Sequence, residues 1–155
     1  MKLKQLLTAI KYRAEQVPDV DITDLVYDSR KAVPGCAFVC LRGANADGHK
    51  YAKMAAEKGA AVIIAEEIVE APVPVILTDN TRLALAYLSA EFFGHPAEQM
   101  HVIGITGTKG KTTTAFMMRS ILEAAGHKTG VIGTIGVLYG DTLVQTDNTT
   151  PENYE

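Results

Sequence analysis

His101-Val102-Ile103-Gly104-Ile105-Thr106-Gly107-Thr108-Lys109-Gly110-Lys111-Thr112-Thr113-Thr114 decides how this chain reads: an apolar run passes into a glycine loop and then into a Lys-Thr-Thr that opens a helix. Val102, Ile103 and Ile105 lack the alternation of a half-exposed strand, so the run is expected to be a buried parallel strand. Gly107 and Gly110 let backbone N–H groups close around phosphate oxygens, with the positive end of a helix dipole behind them. In such a loop Lys111 reaches the terminal phosphates and the Thr112 hydroxyl binds Mg²⁺. The usual spacing places a glycine where this chain has Ile105; Gly104 and Gly107 replace it, so the loop is a variant. Met118, Ile121, Leu122 and Ala125 mark the expected inner face of the following helix, and Gly126 its end.

Upstream, helical and strand signals alternate. Leu3, Leu6, Leu7 and Ile10 recur at helical spacing and predict an opening helix that stops before Pro18. Short strands are expected around 22–27 and 37–41, the first followed by Asp28-Ser29-Arg30, the second by Arg42-Gly43-Ala44-Asn45-Ala46-Asp47-Gly48-His49. Asp47 is placed to cap a helix through Tyr51, Ala52, Ala55 and Ala56 that ends at Gly59. Strands at 61–65 and 73–77 follow, and Asn80 caps a helix carrying Leu83, Tyr87, Leu88 and Phe92 that stops at Gly94-His95-Pro96. The pattern predicts an α/β protein with a mixed or parallel sheet and ligands at the carboxyl ends of its strands. Its domains are expected at 1–98 and 99–155. Beyond the phosphate-loop helix, a strand at 131–134 and a hairpin turning at Gly140-Asp141 are expected, and Thr150-Pro151-Glu152 reads as a helix start.

Composition narrows the classes of function. The chain has 155 residues, 47% hydrophobic and 21% charged, with a formal net charge of -3 and no basic stripe, which argues against nucleic acid as its main partner. No apolar run is long enough to span a bilayer and no signal-peptide core opens the chain, so a cytoplasmic location without membrane attachment is expected. Cys36 and Cys40 are too far apart along one strand for a disulfide and read as small apolar fillers.

With the glycine loop, Asp28-Ser29-Arg30 and the segment from Gly43 to His49 in this order, the chain resembles the Mur ligases, ATP-dependent amide-forming enzymes of peptidoglycan precursor synthesis. Ile132-Gly133-Thr134-Ile135-Gly136 followed by Asn148-Thr149-Thr150-Pro151 resembles the E type. That type adds a third-position diamino acid to UDP-N-acetylmuramoyl-L-alanyl-D-glutamate through an acyl phosphate, serving cell-wall biogenesis, cell shape and cell division. The resemblance implies an N-terminal domain for the UDP substrate and the first part of a central ATP-binding domain, with ATP and Mg²⁺ as cofactors. It implies that Tyr27, Ser29, Ala44, Asn45, Ala46, Asn148, Thr149 and Thr150 contact the UDP-muramoyl-dipeptide. Gly107, Thr108, Lys109, Gly110, Lys111, Thr112 and Thr113 would hold ATP, with Lys111 catalytic and Thr112 the metal ligand.

Taken singly, Asp28-Ser29-Arg30 also reads as a solvated turn, and His49 as a surface or capping residue. The resemblance covers the N-terminal third of such an enzyme, so the chain alone is expected not to turn over, and its incomplete second domain to self-associate or pack poorly. A stand-alone module that binds UDP-sugar or nucleotide without catalysis is the alternative. A relative of folylpolyglutamate synthase is disfavoured by the domain preceding the glycine loop.

Overall fold

The computed structural model describes residues 1–43 and 46–145. They divide into two compact units, Met1–Gln99 and a second that begins at Met100.

In the first unit, chain order runs α1 (Leu3–Leu6), β1 (Leu25–Val26), β2 (Ala37–Val39), α2 (Ala52–Glu57), β3 (Val62–Ala65), β4 (Val75–Leu77) and α3 (Thr81–Phe92). The four strands form one sheet in the order β1-β2-β3-β4, every pair parallel, with Leu25 opposite Ala37, Phe38 opposite Ile63 and Ile64 opposite Ile76. Both faces are covered, which is why the strands are uninterrupted apolar runs. Ala37, Val39, Val62, Ile64 and Ile76 pack with Leu3, Leu6 and Leu7 and with Ala84, Leu85 and Leu88 of α3. Phe38, Cys36, Cys40 and Ile63 point the other way, onto Ala52, Ala55 and Ala56 of α2. The small α2 residues let that helix sit close to the sheet. Asn80 caps α3 by accepting from the Leu83 N–H at 2.9 Å.

Two expectations for this unit need correction. The opening helix is shorter than its apolar spacing suggests: α1 stops at Leu6, a 3-10 turn covers Leu7–Ala9, and backbone pairing of Arg13 with Leu77 takes the chain to the edge of β4 instead. On α3 the buried row is Ala84, Leu85 and Leu88, whereas Leu83 and Tyr87 are each half exposed, so the inner face is turned by about one residue from that expected. Residues 66–74 join β3 to β4 without a helix, as the adjacent strand readings at 61–65 and 73–77 imply.

The second unit holds α4 (Lys111–Ala124) and a three-stranded antiparallel meander of β5 (Gly130–Gly133), β6 (Gly136–Tyr139) and β7 (Thr142–Val144). The β6–β7 turn at Gly140-Asp141 is the expected hairpin. The expected buried strand before the glycine loop is absent: residues 101–107 have no strand pairing, and Val102 and Ile103 are 73% and 54% exposed. A parallel strand exists only through neighbours, and among the described residues none lies alongside it. For the same reason α4 has no buried residue, and Ile121, expected inside, is 69% exposed.

Candidate functional site

Because all four strands of the first unit run in one direction, the segments leaving their carboxyl ends share one edge of the sheet. After β1, Tyr27 packs half buried against the core, and Ser29 is buried in a 3-10 turn capped by Asp28, whose carboxylate accepts from the Arg30 N–H at 2.9 Å. The Arg30 guanidinium folds back on Asp28 at 2.7 Å and holds its carboxyl below the usual carboxylate range. Lys58, at the end of α2, donates to the Ser29 carbonyl at 3.0 Å and fixes the turn from below.

After β2, the ends of the next loop are pinned: Gly43 N–H donates to the Ala46 carbonyl and Gly48 N–H to that of Leu41, both at 2.8 Å. Ala46 is exposed; Ala44 and Asn45 lie outside the described residues. Gly48 is fixed by space. A Cβ there would meet Leu41 N at 2.7 Å and Leu41 O at 2.9 Å, both rigid backbone atoms.

His49 ties this loop to the neighbouring strand. Its ring is buried, Nδ1 lies 2.7 Å from Asp47 Oδ1, and Nε2 accepts from the Glu66 backbone N–H at 3.0 Å. An accepting Nε2 carries no proton, so the imidazole is neutral and donates through Nδ1 to Asp47. That hydrogen bond, with a second from the His49 backbone, lowers the Asp47 pKa. Beyond β3, Glu66 accepts from the Thr81 N–H and hydroxyl at 3.0 and 3.1 Å, and the Thr81 backbone bond is the first cause of its lowered pKa. Arg42 spans the cluster, 3.4 Å from Glu66 and 3.1 Å from Glu67. Asp47, His49 and Glu67 bring candidate ligand atoms within 4.8 Å of one another, but both ring nitrogens are already engaged, which leaves His49 no lone pair for a cation.

In the second unit Gly110 stands at the start of α4 in the left-handed region, φ 80°, which a glycine adopts without penalty. No side chain caps this end and no acidic residue occupies the first turn, so the free amides of Lys111, Thr112 and Thr113 face solvent. Those donors, an ammonium and a hydroxyl suit a polyphosphate, and Thr112 with phosphate oxygens suits Mg²⁺, which takes few ligands from protein. The Lys111 Nζ donates to the Gly107 carbonyl across the loop, and residues 107–113 are all exposed. Beside them a cleft of about 290 Å³ is bordered by Ile105, Lys111, Thr112, Phe116, Leu122 and Ile132. Asn148, Thr149 and Thr150 lie outside the described residues.

Sequence reading missed the polar cluster of Arg42, Glu66 and Thr81 and the support that Lys58 gives the Ser29 turn. Those contacts join residues 15 to 29 positions apart, beyond any local pattern. Asp28-Ser29-Arg30 and Asp47-Gly48-His49 did carry a local signal, an Asp whose carboxylate captures the N–H two residues on.

Two family models match the chain in succession: "Mur ligase family, catalytic domain" over residues 21–93 and "Mur ligase middle domain" over residues 105–155. A relative from Bacillus licheniformis named UDP-N-acetylmuramoyl-L-alanyl-D-glutamate--2,6-diaminopimelate ligase is 48% identical over 99% of this chain and 32% of its own length. One of the same name from Bacillus cereus is 45% identical over 98% of this chain and 31% of its own length. The chain thus spans about a third of the curated relatives it matches. Among solved structures, a UDP-N-acetylmuramoyl-L-alanyl-D-glutamate--2,6-diaminopimelate ligase superposes over 99% of this chain and 32% of its own with TM-score 0.73; at 20% identity this shows the shared fold. MurF ligase from Thermotoga maritima in complex with ADP is 31% identical with TM-score 0.53, covering 65% of this chain and 23% of that one. In sequence and in fold, this chain belongs to the Mur ligase family.

Proposed function

We propose that the chain carries two working parts of an ATP-dependent ligase of peptidoglycan precursor synthesis. That ligase joins 2,6-diaminopimelate to UDP-N-acetylmuramoyl-L-alanyl-D-glutamate. The observation that supports this most is the succession, in one chain, of the two Mur family matches, with relatives at 48% and 45% identity that bear this ligase's name. On this reading 1–98 is the UDP-substrate domain, using Tyr27, Ser29, Ala44, Asn45 and Ala46. The part from 99 to 155 is the beginning of the ATP domain, and Asn148, Thr149 and Thr150 meet the muramoyl-peptide. A cytoplasmic location accords with these nucleotide substrates.

The chemistry asked of the second unit is charge neutralisation and positioning. Transfer of a phosphoryl group to the substrate carboxylate builds negative charge on the phosphate oxygens, and the acyl phosphate so formed is then attacked by the incoming amine with loss of phosphate. The amides at the start of α4 hold those oxygens by direct N–H donation, and Lys111, released from the Gly107 carbonyl, places its ammonium against them. Mg²⁺, when bound at Thr112, supplies further charge neutralisation. On this reading turnover of this chain alone is not expected, since it spans about a third of the length of the relatives it matches. The exposed Val102, Ile103, Ile121 and Ile132 favour self-association through the second unit, which light scattering measures.

Calorimetry tests the reading. UDP and MgATP should each bind the wild-type chain; Ser29→Ala should weaken only the first and Lys111→Ala only the second. Binding of UDP without ATP would leave a non-catalytic nucleotide module, and phosphate release from ATP by the chain alone would contradict the incomplete-enzyme reading.

A further inference from the structure

The geometry points to His49 as the positioning residue of the UDP-substrate loop, holding its closing residues Asp47 and Gly48 to the carboxyl end of β3 through its neutral, Nδ1-protonated ring. The inference rests on the proposed use of that loop for the uridine nucleotide.

The loop leaves β2 at Leu41 and is closed at its base by the Gly43-to-Ala46 and Gly48-to-Leu41 hydrogen bonds, both internal to residues 41–48. Neither anchors it to the rest of the sheet. Among the described residues, the contacts that do are the Arg42 ion pairs and the Arg82 guanidinium on the Arg42 carbonyl at 3.4 Å, all solvent-exposed and therefore weak, and the Nε2 of His49 on the Glu66 N–H. The last is made by a buried ring to a half-buried partner, and its N–H donor lies on the residue directly after β3. Because Asp47 Oδ1 receives both the ring Nδ1–H and the His49 backbone N–H, it orients the imidazole so that Nε2 meets that donor. One buried side chain thus ties the end of the loop to the neighbouring strand, and both of its ring nitrogens are engaged within the protein and not free for a ligand.

The two nitrogens can be separated by substitution. In His49→Asn the amide stands in for Nδ1 and keeps the bond to Asp47 but cannot reach Glu66. In His49→Gln the longer side chain presents an oxygen near the Nε2 position and restores the bond from the Glu66 N–H.

The test is calorimetric titration of the full chain with UDP-N-acetylmuramoyl-L-alanyl-D-glutamate, with MgATP as a control on the second unit, at a temperature where each variant is folded. His49→Asn should weaken the uridine ligand about tenfold, as expected for one lost part-buried hydrogen bond, and His49→Gln should stay within about threefold of wild type. MgATP binding should be unchanged in both. Nitrogen NMR of the wild-type ring should show a protonated Nδ1 and a bare Nε2, a signature that general packing would not require. Equal affinity of His49→Asn and wild type, equal weakening by Asn and Gln, or a protonated Nε2 would each overturn the proposal. Failure of the wild-type chain to bind the uridine ligand at all would instead remove the functional reading beneath it.

Discussion

Gly48→Ala puts the architecture of the UDP-substrate edge to a quantitative test. A methyl group at this position would lie 2.7 Å from Leu41 N and 2.9 Å from Leu41 O, against 3.4 Å for ordinary contact, so the two backbones must part by about 0.7 Å. That movement stretches the 2.8 Å bond from Gly48 N–H to the Leu41 carbonyl toward breaking. Leu41 can yield little, because the preceding Cys40 N–H is held by Ile64 at 2.8 Å and Cys40 is fully buried. Losing that bond costs about 1 kcal/mol and forcing atoms into a packed site typically about 1–3 kcal/mol, which together give roughly 2–4 kcal/mol. For a unit of this size that lowers the melting temperature by at least about 8 °C. Gly43→Ala is the control: among the described residues its Cβ would meet the Ala46 carbonyl alone, at 3.3 Å, a contact that shifts of a few tenths of an ångström relieve, and should change stability by less than about 0.5 kcal/mol. Thermal unfolding followed by circular dichroism measures both. If Gly48→Ala melts with wild type and with Gly43→Ala, the close approach that holds this loop against β2 is not what fixes it.

Two further outcomes follow from charge and burial. Asp28, Asp47 and Glu66 are held below their ordinary values by hydrogen bonds from the Arg30 side chain, the His49 side chain and the Thr81 backbone respectively. The unfolded chain therefore takes up protons first, near pH 4, so their contribution is complete above about pH 5 and shrinks as pH falls toward the folded values. Urea midpoints should be flat above that range and decline below it, less steeply in Glu66→Gln; an identical acid slope in the variant would contradict the assignment. The Cys36 and Cys40 thiols are fully buried, and desolvation raises both, Cys40 to about 12. A disulfide reagent at pH 8 should label neither until the chain is denatured, and rapid labelling in the folded state would refute their role as apolar filler.

Local signals made much of the first unit legible. Asn80 ahead of a helical run, Asp47-Gly48 ahead of alanines, and apolar runs bounded by turn residues placed α3, α2, β2 and β3 within a few residues, because caps and periodicity act over three or four positions. The Gly140-Asp141 turn likewise placed β6 and β7. What was not legible depends on partners distant in the chain. Val102 and Ile103 carry a strand composition but pair with nothing among the described residues, and α1 ends early because Arg13 is drawn to Leu77, 64 positions on. The two candidate sites differ in the same way. The start of α4 is a local motif, whereas the ring of His49 reaches Glu66 across a crossover, and no spacing rule announces it.

The most direct measurement of the central claim, that the amides opening α4 and the Lys111 ammonium clasp nucleotide phosphates, is an amide NMR titration of the full chain with MgADP. Saturable shifts should concentrate in residues 107–113, and affinity should fall about 10- to 100-fold in Lys111→Ala, the loss expected for hydrogen bonds to a charged group. Shifts absent from that loop at saturating nucleotide, or a Lys111→Ala chain that binds as tightly as wild type, would contradict it.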